Sequence, residues 1–283
     1  MLKEKSSGTT FVYMELGPSG MEISAIRAIL VSDLAKYPLC EFFLRECVQG
    51  MSDSEVAEDL AAEPDISLLR HFDEPNEMAG LENLFSGAMA IFGLTKEELG
   101  ARAAFNFGVY DMEGFESVRA VFRVAVALSR EGFTGFRFLG GTGLADLGAT
   151  KNGQQWFIEV KTVVLQTKPQ TIEFGGRTET LIVDKFQPAS RNVSEYVETV
   201  SKLIAGNHIQ KARTQLQNTV KQLGAAKKMI AIVVNLFAAS LFLDCANLDE
   251  VVARLRGKRS LWEIDYLSGI DAFAFLTDHL HLF

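Results

Sequence analysis

The sequence predicts an α/β chain in two parts. A helical, acidic stretch fills residues 1–104, and a hairpin-bearing sheet covered by helices on both faces fills 105–283. Three observations carry this reading. Apolar residues recur at helical spacing through the first hundred positions, and the texture changes near residue 105. Asn152-Gly153 lies between two short apolar runs, the strongest local signal for a two-residue hairpin. From residue 114 the elements read helix, three strands, helix, strand.

The first part is taken up by helices. In 21-MEISAIRAILVSDLAKYPLCEFFLRECVQGM-51 the apolar spacing is three and four, with a break near Pro38. Ser52 followed by Glu55, and Thr95 followed by Glu98, carry the capping-box pattern that opens a helix. Two prolines and many acids make 63–77 an irregular connection.

The second part opens with 114-GFESVRAVFRVAVALSREGF-133. Here Val118, Phe122, Ala125, Val126 and Ser129 mark a buried stripe and Gly132 marks the stop. A strand follows over 133–143 and runs into glycines. The Asn152-Gly153 hairpin comes next, then a second hairpin over 171–185 around Gly175-Gly176. Residues 194–224 form a long helix or helix pair, interrupted near Gly206-Asn207. A buried strand over 228–237, a short basic helix over 249–259 and one or two last strands over 270–283 complete the chain.

Composition narrows the function. With 283 residues, 48% apolar and 23% charged, the chain has a full core. Three cysteines form no disulfide framework, which points to a reducing, cytoplasmic compartment. Cys40 and Cys47 share a helix face and read as core packing, ahead of a metal or redox pair. The N-terminus lacks the apolar segment of a secretory signal. The most apolar run, 229–246, is too short to span a bilayer comfortably and reads as buried strand and core. Net charge is −8, but it is uneven: residues 1–100 hold 7 Lys/Arg against 18 Asp/Glu, and the remainder 21 against 18. Residues 201–230 hold six basic residues and no acid, a stripe able to track phosphates or simply to face solvent.

The chemistry concentrates in 144-LADLGATKNGQQWFIEVKTV-163. With a two-residue turn at Asn152-Gly153, opposed positions follow one register: Leu147 faces Ile158 and Asp146 faces Glu159. Opposed residues share a sheet face, and Lys161, two further on, shares it too. Two like charges directly opposed destabilise a sheet, and one lysine offsets only part of that. A divalent cation removes the conflict, since magnesium takes one or two carboxylates with waters and phosphate oxygens. The plainer alternative is a Glu–Lys ion pair on an exposed face. The apolar flanks disfavour it.

Asp146, thirteen residues, then Glu159-Val160-Lys161 resembles the PD-(D/E)xK, or restriction-endonuclease-like, nuclease superfamily. The resemblance covers roughly residues 105–283 and departs from the pattern at Ala145, where many members have proline. It implies an αβββαβ core with a mixed sheet flanked by helices, preceded here by the helical N-terminal region. It further implies magnesium, or manganese in its place, on Asp146, Glu159 and the Val160 carbonyl. Lys161 would orient or deprotonate the attacking water. Glu116, on the first core helix, would complete the metal site, or else is only a favourable acid at a helix N-terminus. On the later helix the resemblance implies a Gln or Lys reaching the site. Gln215 or Gln217 is expected, then Lys211, beside a buried stripe of Ile209, Ala212, Leu216, Val220 and Leu223.

The glycine run 140–143 leads into a strand rather than a helix and is not read as a phosphate loop. His279 and His281 lack a third ligand nearby in sequence, and no serine sits in a nucleophile elbow. The expectation is therefore a magnesium-dependent phosphodiesterase acting on nucleic acid, DNA before RNA. The acidic N-terminal region would serve regulation, a protein partner or a homodimer. The rivals are a catalytically inactive nucleic-acid-binding module and a protein-interaction module on the same fold.

Overall fold

The computed structural model describes residues 23–61, 75–103, 105–109, 111–163, 170–174, 177–181, 201–234, 267–276 and 280–282. The chain divides into two compact units, Met1–Phe115 and Glu116–Phe283.

The first unit holds helices α1 (Ile23–Leu34), α2 (Pro38–Gly50), α3 (Asp53–Ala61), α4 (Pro75–Phe92) and α5 (Lys96–Arg102). Pro38 opens α2, where its missing N–H leaves no extra donor unpaired. Glu82 of α4 accepts from the Leu39 and Cys40 N–H groups and so caps α2 from outside it. Both predicted capping boxes form: Ser52 with Glu55, and Thr95 with Glu98. Phe43 stacks on Phe85 and Phe107, with ring centroids 4.5 and 4.8 Å away. Cys40 and Cys47 are buried free thiols in this core. Burial pushes both thiols up, Cys47 to about 11, as expected of packing residues rather than reactive ones. Most of the irregular connection expected over 63–77 lies outside the described residues, and Pro75 already begins α4.

The second unit is built on a six-stranded mixed sheet. Its strands are β1 (Thr134–Phe138), β2 (Leu147–Lys151), β3 (Gln154–Val163), β6 (Lys227–Val234), β7 (Ala272–Leu276) and β8 (Leu280–Leu282), side by side in that order. Pairing is antiparallel from β1 to β3, parallel from β3 through β6 to β7, and antiparallel again to β8. The second hairpin, β4 (Gln170–Phe174) with β5 (Arg177–Leu181), stays apart as its own two-stranded sheet.

Helices flank the sheet. On one face, Phe122 of α6 (Met112–Arg130) packs edge-on against Phe138 of β1, at 6.3 Å. The buried side of α6 is broader than the predicted stripe. Ala120, Val124 and Leu128 join Phe122 and Ala125, whereas Val118, Val126 and Ser129 are half-buried. On the other face lies α7 (Gln210–Leu223), entered through a π-helical turn, Ile204–Ile209. That turn falls where Gly206-Asn207 predicted an interruption, and it widens the helix rather than ending it. The predicted α7 stripe is corrected at its end: Val220 is half-buried and Leu223 is 48% exposed, while Thr219 is buried in their stead. The reason is a hydrogen bond described below. Among the described residues no helix is long and apolar enough to cross a membrane. The basic helix expected over 249–259 lies outside the described residues, as does His279. His281 lies in β8, opposite Phe275.

Candidate metal and catalytic site

The β2–β3 turn fixes the site. Asn152 and Gly153 both have positive φ, 52° and 73°, as a type I′ turn requires. The register is the one this turn dictates, from Lys151↔Gln154 to Leu147↔Ile158. Continued by one residue, it brings Asp146 opposite Glu159. Asp146 is held there from both sides. Its carbonyl accepts from Leu139 N–H at 3.1 Å, and its Oδ2 accepts from Val160 N–H at 2.8 Å.

Glu159 is fully buried, yet neither of its carboxylate oxygens has a hydrogen-bond partner among the described residues. Lys161 Nζ lies 2.5 Å from Glu159 Oε1, a charge contact outside hydrogen-bonding geometry. Burial, then the Asp146 carboxylate, pushes Glu159 up to about 8 against the pull of Lys161. Burial also raises Asp146, opposed by the Val160 N–H and by Lys161. A half-buried and a fully buried acid side by side, the latter with an ion pair but no hydrogen bond, are costly unless a cation or a proton joins them.

Lys161 is anchored by α7, where its Nζ donates to Gln215 Oε1 at 2.7 Å. Gln215 Nε2 in turn donates to the Leu144 carbonyl at 3.3 Å. One turn on, Thr219 Oγ1 donates to the Gln215 carbonyl and accepts from Ala145 N–H, both at 2.7 Å. The helix is thus tied to the two residues that precede Asp146. This demand for an oxygen at 219 turns Thr219 inward and leaves Val220 less covered.

Of the residues expected at the site, Asp146, Glu159, Val160, Lys161 and Gln215 come together. Gln217 and Lys211 are exposed on α7. Glu116 does not join them as a third acid. It pairs with Arg119 at 2.9 Å on its own helix, and no group of three or more His, Cys, Asp or Glu able to hold a metal occurs among the described residues. The residues present still fit a magnesium ion, because that ion is content with two carboxylates and waters. The buried oxygens of Glu159, with an ion pair at Oε1 but no hydrogen bond, support that fit.

Sequence reasoning passed over two contributors. Thr219 follows Gln215 by four and His208 precedes it by seven, so helical spacing alone would have put them on one face. Burial, with Lys161 and then Lys211, pushes His208 down to about 4. It is therefore neutral at physiological pH. No protein-family model, curated protein or solved structure matches this chain.

Proposed function

We propose that the second unit is a metal-dependent nuclease, hydrolysing phosphodiester bonds of nucleic acid, DNA in preference to RNA, on a restriction-endonuclease-like core. The single observation that carries this reading is Glu159. It is a fully buried carboxylate whose oxygens make no hydrogen bond among the described residues, beside Asp146 and ion-paired through Oε1 with Lys161. The succession α6, β1, β2, β3, α7, β6, with the separate β4–β5 hairpin inserted after β3, supports the core assignment.

Asp146, Glu159 and the Val160 carbonyl would hold magnesium, which when bound offsets negative charge developing on the phosphate. As an ammonium, Lys161 orients the attacking water and donates to the phosphorus oxygens. Gln215 fixes the direction of the Lys161 ammonium, and Thr219 fixes the backbone that carries Asp146. His208 adds no charge beside Lys161 at neutral pH.

The test is cleavage of DNA and RNA by the wild type and by Lys161→Ala, each with magnesium, with manganese and with EDTA. The expected result is metal-dependent cleavage that the substitution abolishes. Absence of cleavage together with absence of any magnesium-induced rise in Tm overturns the reading, since a cation bound to the folded state must stabilise it.

A further inference from the structure

Arg137 sits on the same face of the sheet as the acid pair. It opposes Gly148, and Gly148 opposes Phe157, on the face that carries the even-numbered residues of β2 and the odd-numbered residues of β3, Glu159 and Lys161 among them. The row Phe138, Leu147 and Ile158 faces α6 instead. Arg137 reaches across β2. A Cβ placed on Gly148 would lie 3.0 Å from its Cζ and 3.2 Å from its Nε. Leu139 Cδ2 comes equally near, at 3.0 Å, so the guanidinium and Leu139 share the bare backbone of Gly148, two residues and roughly 7 Å along β2 from Asp146.

Its surroundings leave it available. Among the described strands β1 lies at the edge of the sheet, Arg137 is exposed, and no described carboxylate pairs with it. The other acidic groups on this face, Asp146 and Glu159, are already engaged with the Val160 N–H and with Lys161. On the same face α7 covers Lys161 and residues 144–145. A chain crossing the acid pair is thus directed away from α7 and out over β1. A planar donor fork at that edge suits a phosphodiester, which guanidinium binds in bidentate fashion.

We infer that Arg137, seated on Gly148, binds the phosphate next to the scissile one, on the β1 side, so that the substrate is a polynucleotide continuing over the sheet edge. This rests on the nuclease reading above. It adds a second phosphate subsite, and it excludes mononucleotide and minimal dinucleotide diesters as efficient substrates.

The experiment measures binding of a short DNA duplex, its separated strands and RNA of the same sequence. Calcium replaces magnesium, and salt is varied. Cleavage of the same probes and of a dinucleotide is measured in magnesium. Arg137→Ala is expected to weaken binding about tenfold irrespective of sequence and to flatten the salt dependence by about one phosphate contact. KM rises while kcat holds for the long substrate, and cleavage of the dinucleotide is unaffected. Arg137→Lys restores the salt slope but only part of the affinity. Gly148→Ala shifts the guanidinium and reproduces the loss with the charge retained. Wild-type binding, slope and KM in Arg137→Ala overturn the inference and leave the nuclease reading standing. A wild type that neither binds nor cleaves overturns both.

Discussion

Lys161 and Gln215, 54 positions apart in sequence, meet at 2.7 Å, and that bond links β3 to the helix that covers it. Without it the ammonium is steered only by Glu159. Gln215→Ala is therefore expected to reduce cleavage about 10- to 100-fold, the usual effect of removing a supporting partner. Lys161→Ala should cost about 100- to 10,000-fold. Single-turnover rates in magnesium check both. Equal losses for the two variants would show that Gln215 does more than orient the lysine.

Glu159 makes the protein sensitive to alkali when metal is withheld. Its folded value, about 8, lies above the ordinary 4.5. The folded state thus keeps a proton that the unfolded chain has lost. The resulting stability is full below about 4.5 and is lost as pH rises through about 8. In EDTA, Tm should fall over that window, whereas magnesium should bind better as the proton leaves. Glu159→Gln should flatten the EDTA curve and remove the magnesium response. A wild-type Tm independent of pH would contradict the assignment.

His208 has the opposite sign. Burial beside Lys161 and Lys211 holds it near 4, below its ordinary 6.5. Between those values the unfolded chain takes up a proton that the folded chain refuses, so stability declines as pH falls from about 6.5 toward 4. His208→Gln should lessen that decline in melting experiments. Parallel curves would place the imidazole in solvent.

Thr219→Val removes the acceptor for Ala145 N–H and keeps the shape of the side chain. An unsatisfied buried donor costs about 1–3 kcal/mol. Thr219→Ser keeps the oxygen and should lose less. Denaturant midpoints for the two variants decide this, and a valine as stable as the serine would show that the bond contributes nothing.

Glu116 supplies a negative control. Its partner is Arg119, on the same helix. Glu116→Gln is expected to leave cleavage and metal affinity within about twofold and to shift stability by about 1 kcal/mol or less. A hundredfold loss of metal affinity would return Glu116 to the metal site.

How far the sequence discloses this site depends on the kind of constraint. Turn chemistry is local and strict, so Asn152-Gly153 alone placed Asp146 opposite Glu159, with Lys161 on their face. The resemblance called for a Gln or Lys on the later helix, and helical spacing did not decide between Gln215 and Gln217, which flanked opposite sides of the expected stripe. Arg137 was beyond reach for a different reason. The pairing of β1 with β2 shifts between Thr134 and Arg137, so counting by twos along β1 gives the wrong face. Thr219 answers to Ala145, 74 residues earlier, and no local pattern encodes such a demand. Glu116 and Arg119 stand three apart, a spacing that favours an ion pair.

The tie between α7 and residues 144–145 has a consequence for synthesis. A nascent chain ending before Gln210 already contains Asp146, Glu159 and Lys161 but lacks Gln215, Thr219 and the whole of β6, the strand that flanks β3. The acids and the lysine are then present without the scaffold that aligns them. On the nuclease reading, the order in which the ribosome delivers these segments leaves the proposed centre without that scaffold until most of the chain has been made.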